Sequence, residues 1–305
     1  MTKKTHADQG EAMGATRWVL VTGSSSGVGR STALLLSGSG FEVLAAVRNE
    51  ADADVLKNQN PDHIHPVIIE LRNQSTITDG VDRVAEKTGK DGLYGVVNCA
   101  ALLHCGPLEY FPRELWIEQY DVNLFCPMAL TQTMLPLIRK AGGRIVNIGA
   151  VGGGISLPFY GAIASSKIAF EAVTDCLRRE LHPFGIHVSI IEPGGIDTPA
   201  NIKMRDSVAR FLHDLDPVGQ ERYGTAMEAF SQWAFTMHQH NLKPEKVAKT
   251  VMKALQAKRP KTRYRLGWDS RGSAVLMKLL PDRLFDKVIL KISKLPMSFG
   301  AWRNK

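Results

Sequence analysis

An α/β fold with a parallel sheet covered on both faces is what this sequence predicts, and three observations predict it. Short apolar runs recur at 18–21, 41–47, 65–69, 93–97, 144–148 and 186–191, with the length of buried strands. Apolar residues at helix spacing separate them, beginning with Ala33, Leu34, Leu35 and Leu36. Such alternation builds parallel sheets. The first run also ends in a glycine turn that opens a helix, Thr22-Gly23-Ser24-Ser25-Ser26-Gly27-Val28-Gly29.

That first unit has a chemical reading. A strand, a glycine turn and a helix together offer free backbone N–H groups and a helix N-terminus to a phosphate. Glycine permits the left-handed turn and close backbone approach that a Cβ would block. Gly23, Ser25, Ser26, Gly27, Val28 and Gly29 are therefore assigned to nucleotide binding. The second strand, 41–47, is followed by Arg48 rather than an acid. In dinucleotide folds an acid at this point favours NAD, whereas an Arg accommodates the 2′-phosphate of NADP. Arg48 predicts NADP(H).

The third strand ends at Glu70, and 76–88 reads as a surface helix. The fourth opens into Asn98-Cys99-Ala100-Ala101. One long helix is predicted over 113–139, with Leu115, Trp116, Tyr120, Leu124, Leu130, Met134 and Leu137 as its apolar positions. Asn123 lies inside it, although Asn competes for backbone hydrogen bonds in helix interiors.

The fifth strand, 144–148, leads into GAVGGGISLPFYGAIASSK at 149–167 and then into a helix carrying Phe170, Val173, Thr174 and Leu177. A strand end meeting a helix start is where such sheets keep their ligand. The middle of this stretch offers little proton-transfer chemistry. The sixth strand, 186–191, ends in a sharp Pro193-Gly194 turn. Residues 199–242 read as an inserted helical lid with apolar Met204, Phe211, Tyr223, Met227, Phe230, Trp233, Phe235 and Met237. A helix over 246–255 and a last strand over 263–266 follow. No repeat or Gly/Ser linker divides the chain. The predicted plan is a frayed tail at 1–16, one domain over 17–270 and a basic helical extension over 271–305.

Composition excludes several classes. The net charge is +8, yet from Lys258 to Lys305 there are 13 Lys or Arg against three Asp. The tail thus carries the basicity, and whole-protein nucleic-acid binding is not implied. Within the tail Leu276, Leu280, Leu284, Val288, Ile292 and Leu295 recur near helix spacing between Lys278, Arg283, Lys287, Lys291 and Lys294. Pro281 is expected to split it into two helices. This pattern predicts an amphipathic cap that touches anionic membrane, or one packed on the domain with a solvated basic face. The four cysteines show no CxxC spacing, which argues for a reducing compartment and against zinc. No secretion signal and no run of about 18 apolar residues is visible. The expectation is a cytoplasmic protein with peripheral membrane contact.

These motifs together resemble the short-chain dehydrogenases/reductases, which carry one Rossmann-like, doubly wound domain. TGSSSGVG at 22–29 is similar to that family's TGxxxGxG loop, and NCAA at 98–101 to its NNAG, with Cys99 and Ala101 as departures. The resemblance covers about 17–200 closely and the tail more loosely. It implies that Asn98 contacts the cofactor and that Glu70 lies near the adenine. It implies that Asn123 supports a proton-relay water. EPGGIDT at 192–198 is similar to the segment that meets the nicotinamide end, which assigns Pro193, Gly194 and Thr198. LPFYGAIASSKIAFEA keeps the frame of the family's catalytic segment, so Lys167 matches its Lys, while Ile163 stands at the Tyr position and Ala150 at the Ser position. The lid, the tail and RPKTRYRLG resemble bacterial relatives of retinol and hydroxysteroid dehydrogenases. That implies a lipophilic alcohol or ketone as substrate, and many relatives form homo-oligomers.

The two departures matter chemically. Hydride addition to a carbonyl develops negative charge on oxygen, which one hydroxyl must protonate and a second must hold. Losing the acid costs roughly 10²–10⁴ in rate, or about 3–5 kcal/mol of barrier. Tyr160, one helical turn before Ile163, is a candidate displaced acid; otherwise it packs under the lid. Ser165 and Ser166 read as helix-face residues. His104 and Cys105 are further candidates to line the crevice, and Lys167 is expected to hold the nicotinamide ribose. Three readings stay open: an NADP(H)-dependent oxidoreductase with a rearranged acid, a non-redox cyclase, isomerase or lyase on the same scaffold, and a catalytically silent NADP-binding protein.

Overall fold

The computed structural model describes residues 16–151, 156–239, 242–267 and 280–295. Seven strands form one sheet in the order β3-β2-β1-β4-β5-β6-β7. They are β1 Trp18–Val21, β2 Glu42–Val47, β3 Ile64–Ile68, β4 Gly95–Asn98, β5 Arg144–Ile148, β6 His187–Pro193 and β7 Arg263–Leu266. Every neighbouring pair runs parallel. The order reverses direction between β1 and β4, and a ligand crevice forms at such a switch, beyond the carboxyl ends of the strands.

The helices are α1 Gly27–Ser37, α2 Glu50–Lys57, α3 Gln74–Thr88, α4 Arg113–Tyr120, α5 Cys126–Ala141, α6 Gly161–Leu181, α7 Pro199–Asp214, α8 Pro217–Gln239, α9 Pro244–Gln256 and α10 Asp282–Ile292. Side chains alternate across a strand, and β1 shows the consequence. Val19 and Val21 join Ala33 and Leu36 of α1 and Val247, Val251 and Leu255 of α9 on one face. Leu20 joins Val84 of α3, Leu130, Met134 and Ile138 of α5 and Leu177 of α6 on the other. A strand buried on both faces must be apolar throughout. At about 1.5–3 kcal/mol per fully buried large aliphatic side chain, the two faces drive the layering.

Several sequence expectations are corrected. The predicted single helix over 113–139 is broken by a π-helical turn at Asp121–Phe125, which separates α4 from α5. Pro127 explains the weak point: it has no N–H for the carbonyl four residues earlier, that of Asn123. β6 runs through Pro193, which pairs with Leu266 of β7, so the turn starts one residue later than expected. Helix α2 was not expected, because EADADVLK lacks a broad apolar stripe; Asn49 caps it, its side chain accepting from the Asp52 N–H at 2.9 Å.

The stretch read as a lid forms two helices, α7 and α8. Their apolar residues build a third cluster with Cys105, Phe159 and Ile163. Leu290 and Leu295 tie α10 to that cluster. Pro281 stands just before α10, as its N-cap residue. The expected earlier half of the extension, with Leu276 and Lys278, lies outside the described residues, as do 1–15. Among the described residues no helix is long and apolar enough to cross a membrane, and no group of His, Cys, Asp or Glu is arranged to hold a metal ion.

Candidate functional site

Three loops converge at the carboxyl end of the sheet. After β1, the glycine loop turns with positive φ at Gly23 (64°) and Gly27 (53°). Its backbone is pinned to both neighbouring strands: Thr22 N–H donates to the Val97 carbonyl at 3.0 Å and Ser24 N–H to the Ala46 carbonyl at 3.1 Å. At Gly29 a Cβ would stand 2.2 Å from the Gly23 carbonyl oxygen, so the loop folds back onto its own helix as only glycine permits. After β4, Ala100 lies against Gly23, its Cα 3.1 Å from where a Cβ would be. After β6, Thr198 reaches over Gly27, its Cγ2 3.3 Å from the corresponding point. The structure therefore brings the 22–29, 98–101 and 193–198 segments together.

The electrostatics of this floor suit an anion. Ser26, the N-cap residue of α1, makes no capping hydrogen bond with its side chain, and the first turn carries no acid. The N–H groups and the positive end of the helix dipole are left for a ligand. Arg48 follows β2 and is exposed, with no ion pair or side-chain hydrogen bond among the described residues. Glu70 follows β3 on the adjoining strand; one of its carboxylate oxygens accepts from the Arg72 N–H at 3.3 Å. A dinucleotide phosphate fits this cradle by shape and by charge. Ser25 is partly buried, Ser26 is exposed, and Val28 packs against the core.

The side chain of Asn98 is buried, its Nδ2 donating to Thr131 Oγ1 at 3.1 Å and to Asn147 Oδ1 at 2.8 Å. These bonds hold β4 to β5 and α5, while its Oδ1 has no partner among the described residues. Thr22, passed over in the sequence, positions the β4 loop instead: its Oγ1 accepts from the N–H groups of Cys99 and Ala100 at 2.9 and 3.1 Å. The signal was its place directly before the first glycine.

The other wall is built on the π-turn and α6. Asn123 is buried, and its Oδ1 accepts from the Leu102 N–H at 2.8 Å. Its amide donates to the Leu102 carbonyl at 3.2 Å and to Ser166 Oγ at 3.1 Å. Ser166, read as a helix-face residue, faces inward: it is fully buried and donates to the Ile163 carbonyl at 2.9 Å. Lys167 is 6% exposed, and its Nζ donates to the Ile148 carbonyl at 3.0 Å. Burial holds this ammonium down to about 8, with Cys99 pulling weakly the other way. Burial likewise pushes the Cys99 thiol up to about 12, against the Lys167 charge and a Thr32 hydrogen bond.

Ile163 is buried in the apolar cluster with Met204, Val208, Met227 and Phe230. Ala150, just past β5, is partly exposed. Tyr160, the candidate displaced acid, points its hydroxyl to Met204 Sδ at 3.2 Å and stacks edge-on with Phe230, centroids 5.1 Å apart. The space around it leaves no room for a water molecule. Burial raises its pKa well above 10, the wrong direction for a proton donor at neutral pH. Its geometry is that of the packing alternative. His104 Nε2 lies 2.9 Å from Glu118 Oε2, so its ring is engaged with α4.

The profile of the short chain dehydrogenase family matches residues 17–209. The chain is 31% identical over 280 residues to an NADPH-dependent 3-dehydrocapnine reductase of Ornithobacterium rhinotracheale, covering 90% of this chain and 96% of that one. It is 34% identical over 286 residues to retinol dehydrogenase 16 of Homo sapiens, covering 92% and 90%. Among solved structures, a short-chain dehydrogenase from Streptomyces avermitilis superposes with a TM-score of 0.71 at 25% identity, covering 92% of this chain and 95% of that chain.

Proposed function

The chain belongs to the short chain dehydrogenase family, and from that premise we propose that it is an NADP(H)-dependent oxidoreductase. Its substrate is a lipophilic carbonyl compound or the corresponding alcohol, and its proton-donating site is rebuilt. The observation that carries this reading is the glycine cradle, in which Gly29 packs on Gly23 beneath an uncapped helix N-terminus.

The 22–29 backbone would hold the pyrophosphate, Arg48 the 2′-phosphate and Glu70 the adenine side. Lys167 would hold the nicotinamide ribose, with Pro193, Gly194 and Thr198 at the nicotinamide end. Bound there, the nicotinamide supplies or accepts a hydride. The rest falls to the chain. The apolar cluster of Ile163, Met204, Met227 and Phe230 excludes water and favours a lipophilic substrate, in agreement with the names of the retinol and 3-dehydrocapnine relatives. Asn123, whose carbonyl lacks the N–H that Pro127 cannot give, suits a proton-relay water. We read 17–270 as one domain with 199–242 as the substrate lid. The exposed Ile117, Phe125 and Ile168 support a homo-oligomeric contact.

The missing hydroxyls at Ala150 and Ile163 favour one second reading, a non-redox reaction that uses the pocket to shape its substrate. Incubation with NADPH or NADP⁺ and a panel of lipophilic ketones, aldehydes and alcohols separates the two. Turnover with a change in nicotinamide absorbance is the expected result. Product without that change supports the second reading.

A further inference from the structure

We propose that Gln119 is a positioning residue that sets substrate specificity: its carboxamide holds the segment after β4 as a neighbouring strand would, so that Leu103 and Cys105 form one wall of the apolar substrate cluster. The inference rests on the oxidoreductase reading of the same crevice and adds a residue which that reading does not use.

The first support is an accounting of backbone groups. β4 ends at Asn98, paired there with Asn147 of β5. Beyond it the chain leaves the sheet, and its buried N–H and C=O groups need other partners. Thr22 Oγ1 accepts from the N–H groups of Cys99 and Ala100. Asn123 Oδ1 accepts from Leu102, Gln119 Oε1 from His104 at 2.8 Å, and the Phe159 carbonyl from Gly106 at 2.9 Å. The N–H groups at 100, 102, 104 and 106 are thus taken in alternation, as along one edge of a strand. Gln119 also donates from Nε2 to the Leu102 carbonyl. One carboxamide therefore meets the C=O of Leu102 and the N–H of His104, the two groups that a residue on a neighbouring parallel strand would meet.

The second support is where this clamp acts. At one end of the segment Ala100 lies against Gly23 of the cofactor loop. At the other, Cys105 is buried in the cluster with Ile163, Met204 and Phe230, and Leu103 packs against the same cluster. The clamped residues span the distance between them. Gly106 closes the segment: a Cβ there would stand 2.9 Å from Phe111 Cδ2 and 2.9 Å from Phe211 Cζ of α7.

The third support is a comparison of magnitudes. The segment has an outer brace, in which Glu118 takes His104 Nε2 at 2.9 Å and Arg72 Nη1 at 2.7 Å. The Arg72–Glu118 pair is exposed to solvent, and such pairs contribute little. Gln119 is fully buried, where loss of a partner exposes the full desolvation cost of the group left behind. Gln119 is thus the stronger constraint. A long lipophilic substrate rests on the wall that it sets, whereas a short carbonyl compound needs only the nicotinamide end.

The test uses the full chain. Gln119→Met keeps the length of the side chain and removes both hydrogen bonds; Gln119→Glu keeps an oxygen for the His104 N–H. Hydrogen exchange over 99–106, read by mass spectrometry, should quicken at least about tenfold in Gln119→Met and less in Gln119→Glu. With NADPH, the KM for retinaldehyde in detergent micelles should rise about tenfold in Gln119→Met, while its kcat and the KM for butanal move less than about threefold. Gln119→Glu should recover part of the retinaldehyde KM. NADPH affinity by calorimetry should be unchanged in both, because Thr22 holds residues 99 and 100 independently. If Gln119→Met fails to fold, Gln119→Glu carries the same comparison at smaller amplitude. Unchanged exchange over 99–106 would overturn the inference. So would an equal rise in KM for both aldehydes, or an equal loss of kcat with a lowered melting temperature, which is the outcome of a merely structural role. If the parent binds NADPH yet turns over neither aldehyde nor any panel carbonyl, the oxidoreductase reading falls; retinaldehyde affinity by tryptophan quenching then replaces KM, and an affinity equal in parent and variants overturns the positioning role as well.

Discussion

The side-chain amide of Asn123 donates to the hydroxyl of Ser166 at 3.1 Å, locking the π-turn between α4 and α5 onto α6. This bond keeps the surroundings of Ile163 and Lys167 in order. Position 163 is set by the Ser166 hydroxyl on its carbonyl, and Lys167 is the next residue along the helix.

The first prediction follows. Ala150→Ser combined with Ile163→Tyr should raise NADPH-dependent reduction of a lipophilic ketone by up to about 10²–10⁴. Neither single change should suffice, since residues acting as a unit are strongly non-additive. Tyr adds bulk at a side chain that is 7% exposed, so stability should fall by about 1–3 kcal/mol. Urea denaturation and NADPH titration come first, then the ketone assay. A folded, NADPH-binding double variant without gain would show that the crevice has diverged beyond these two positions.

A second prediction concerns cofactor choice. Arg48→Ala should weaken NADPH by about 1.5–3 kcal/mol, the worth of a hydrogen bond to a charged group. NADH affinity should hardly move. Calorimetric titration of both cofactors against parent and variant measures the difference; equal losses for the two would remove the 2′-phosphate from Arg48.

Two glycines make a contrasting pair. Gly29→Ala places a Cβ 2.2 Å from the Gly23 oxygen. The loop must shift, and a cost of about 1–3 kcal/mol is expected, together with a clear loss of NADPH affinity. Gly224→Ala lies inside α8 with nothing within 4 Å of the new Cβ. There the helix should gain about 0.5–1 kcal/mol with cofactor binding intact. Melting curves and NADPH titrations of the two variants decide both.

The fourth prediction addresses α10. Its Leu284 and Ile292 are 48% and 51% exposed, none of its residues is fully buried, and Lys287 and Lys291 stand exposed among the apolar positions. Such a helix binds an anionic surface through apolar insertion and charge. The full chain should float with phosphatidylserine-containing liposomes at low salt, and less so with phosphatidylcholine alone. Leu284→Ser with Ile292→Ser should abolish flotation and leave the fold unchanged. Flotation undiminished in that variant would assign the contact elsewhere on the protein.

The sequence by itself determined the layering and the cradle. Apolar runs of strand length, alternating with helical stripes, leave little choice but a parallel sheet, because each run must bury both faces. The glycine spacing at 22–29 is equally local, since it reports backbone conformations that need no partner. What the tertiary structure decided is where side chains spend their hydrogen bonds. Asn98 has its amide nitrogen taken by β5 and α5, while its Oδ1 is left without a partner among the described residues. Ser166 read only as a helix-face residue, and the π-turn brings Asn123 to it. Tyr160 lies near Ile163 in sequence, yet α7 supplies Met204 and α8 supplies Phe230 as its neighbours. Lys167 has its lowered proton affinity because β5, α6 and the end of β4 bury it together. Burial and partner choice depend on segments far apart in the chain, and only their packing fixes which polar atoms are left free for chemistry.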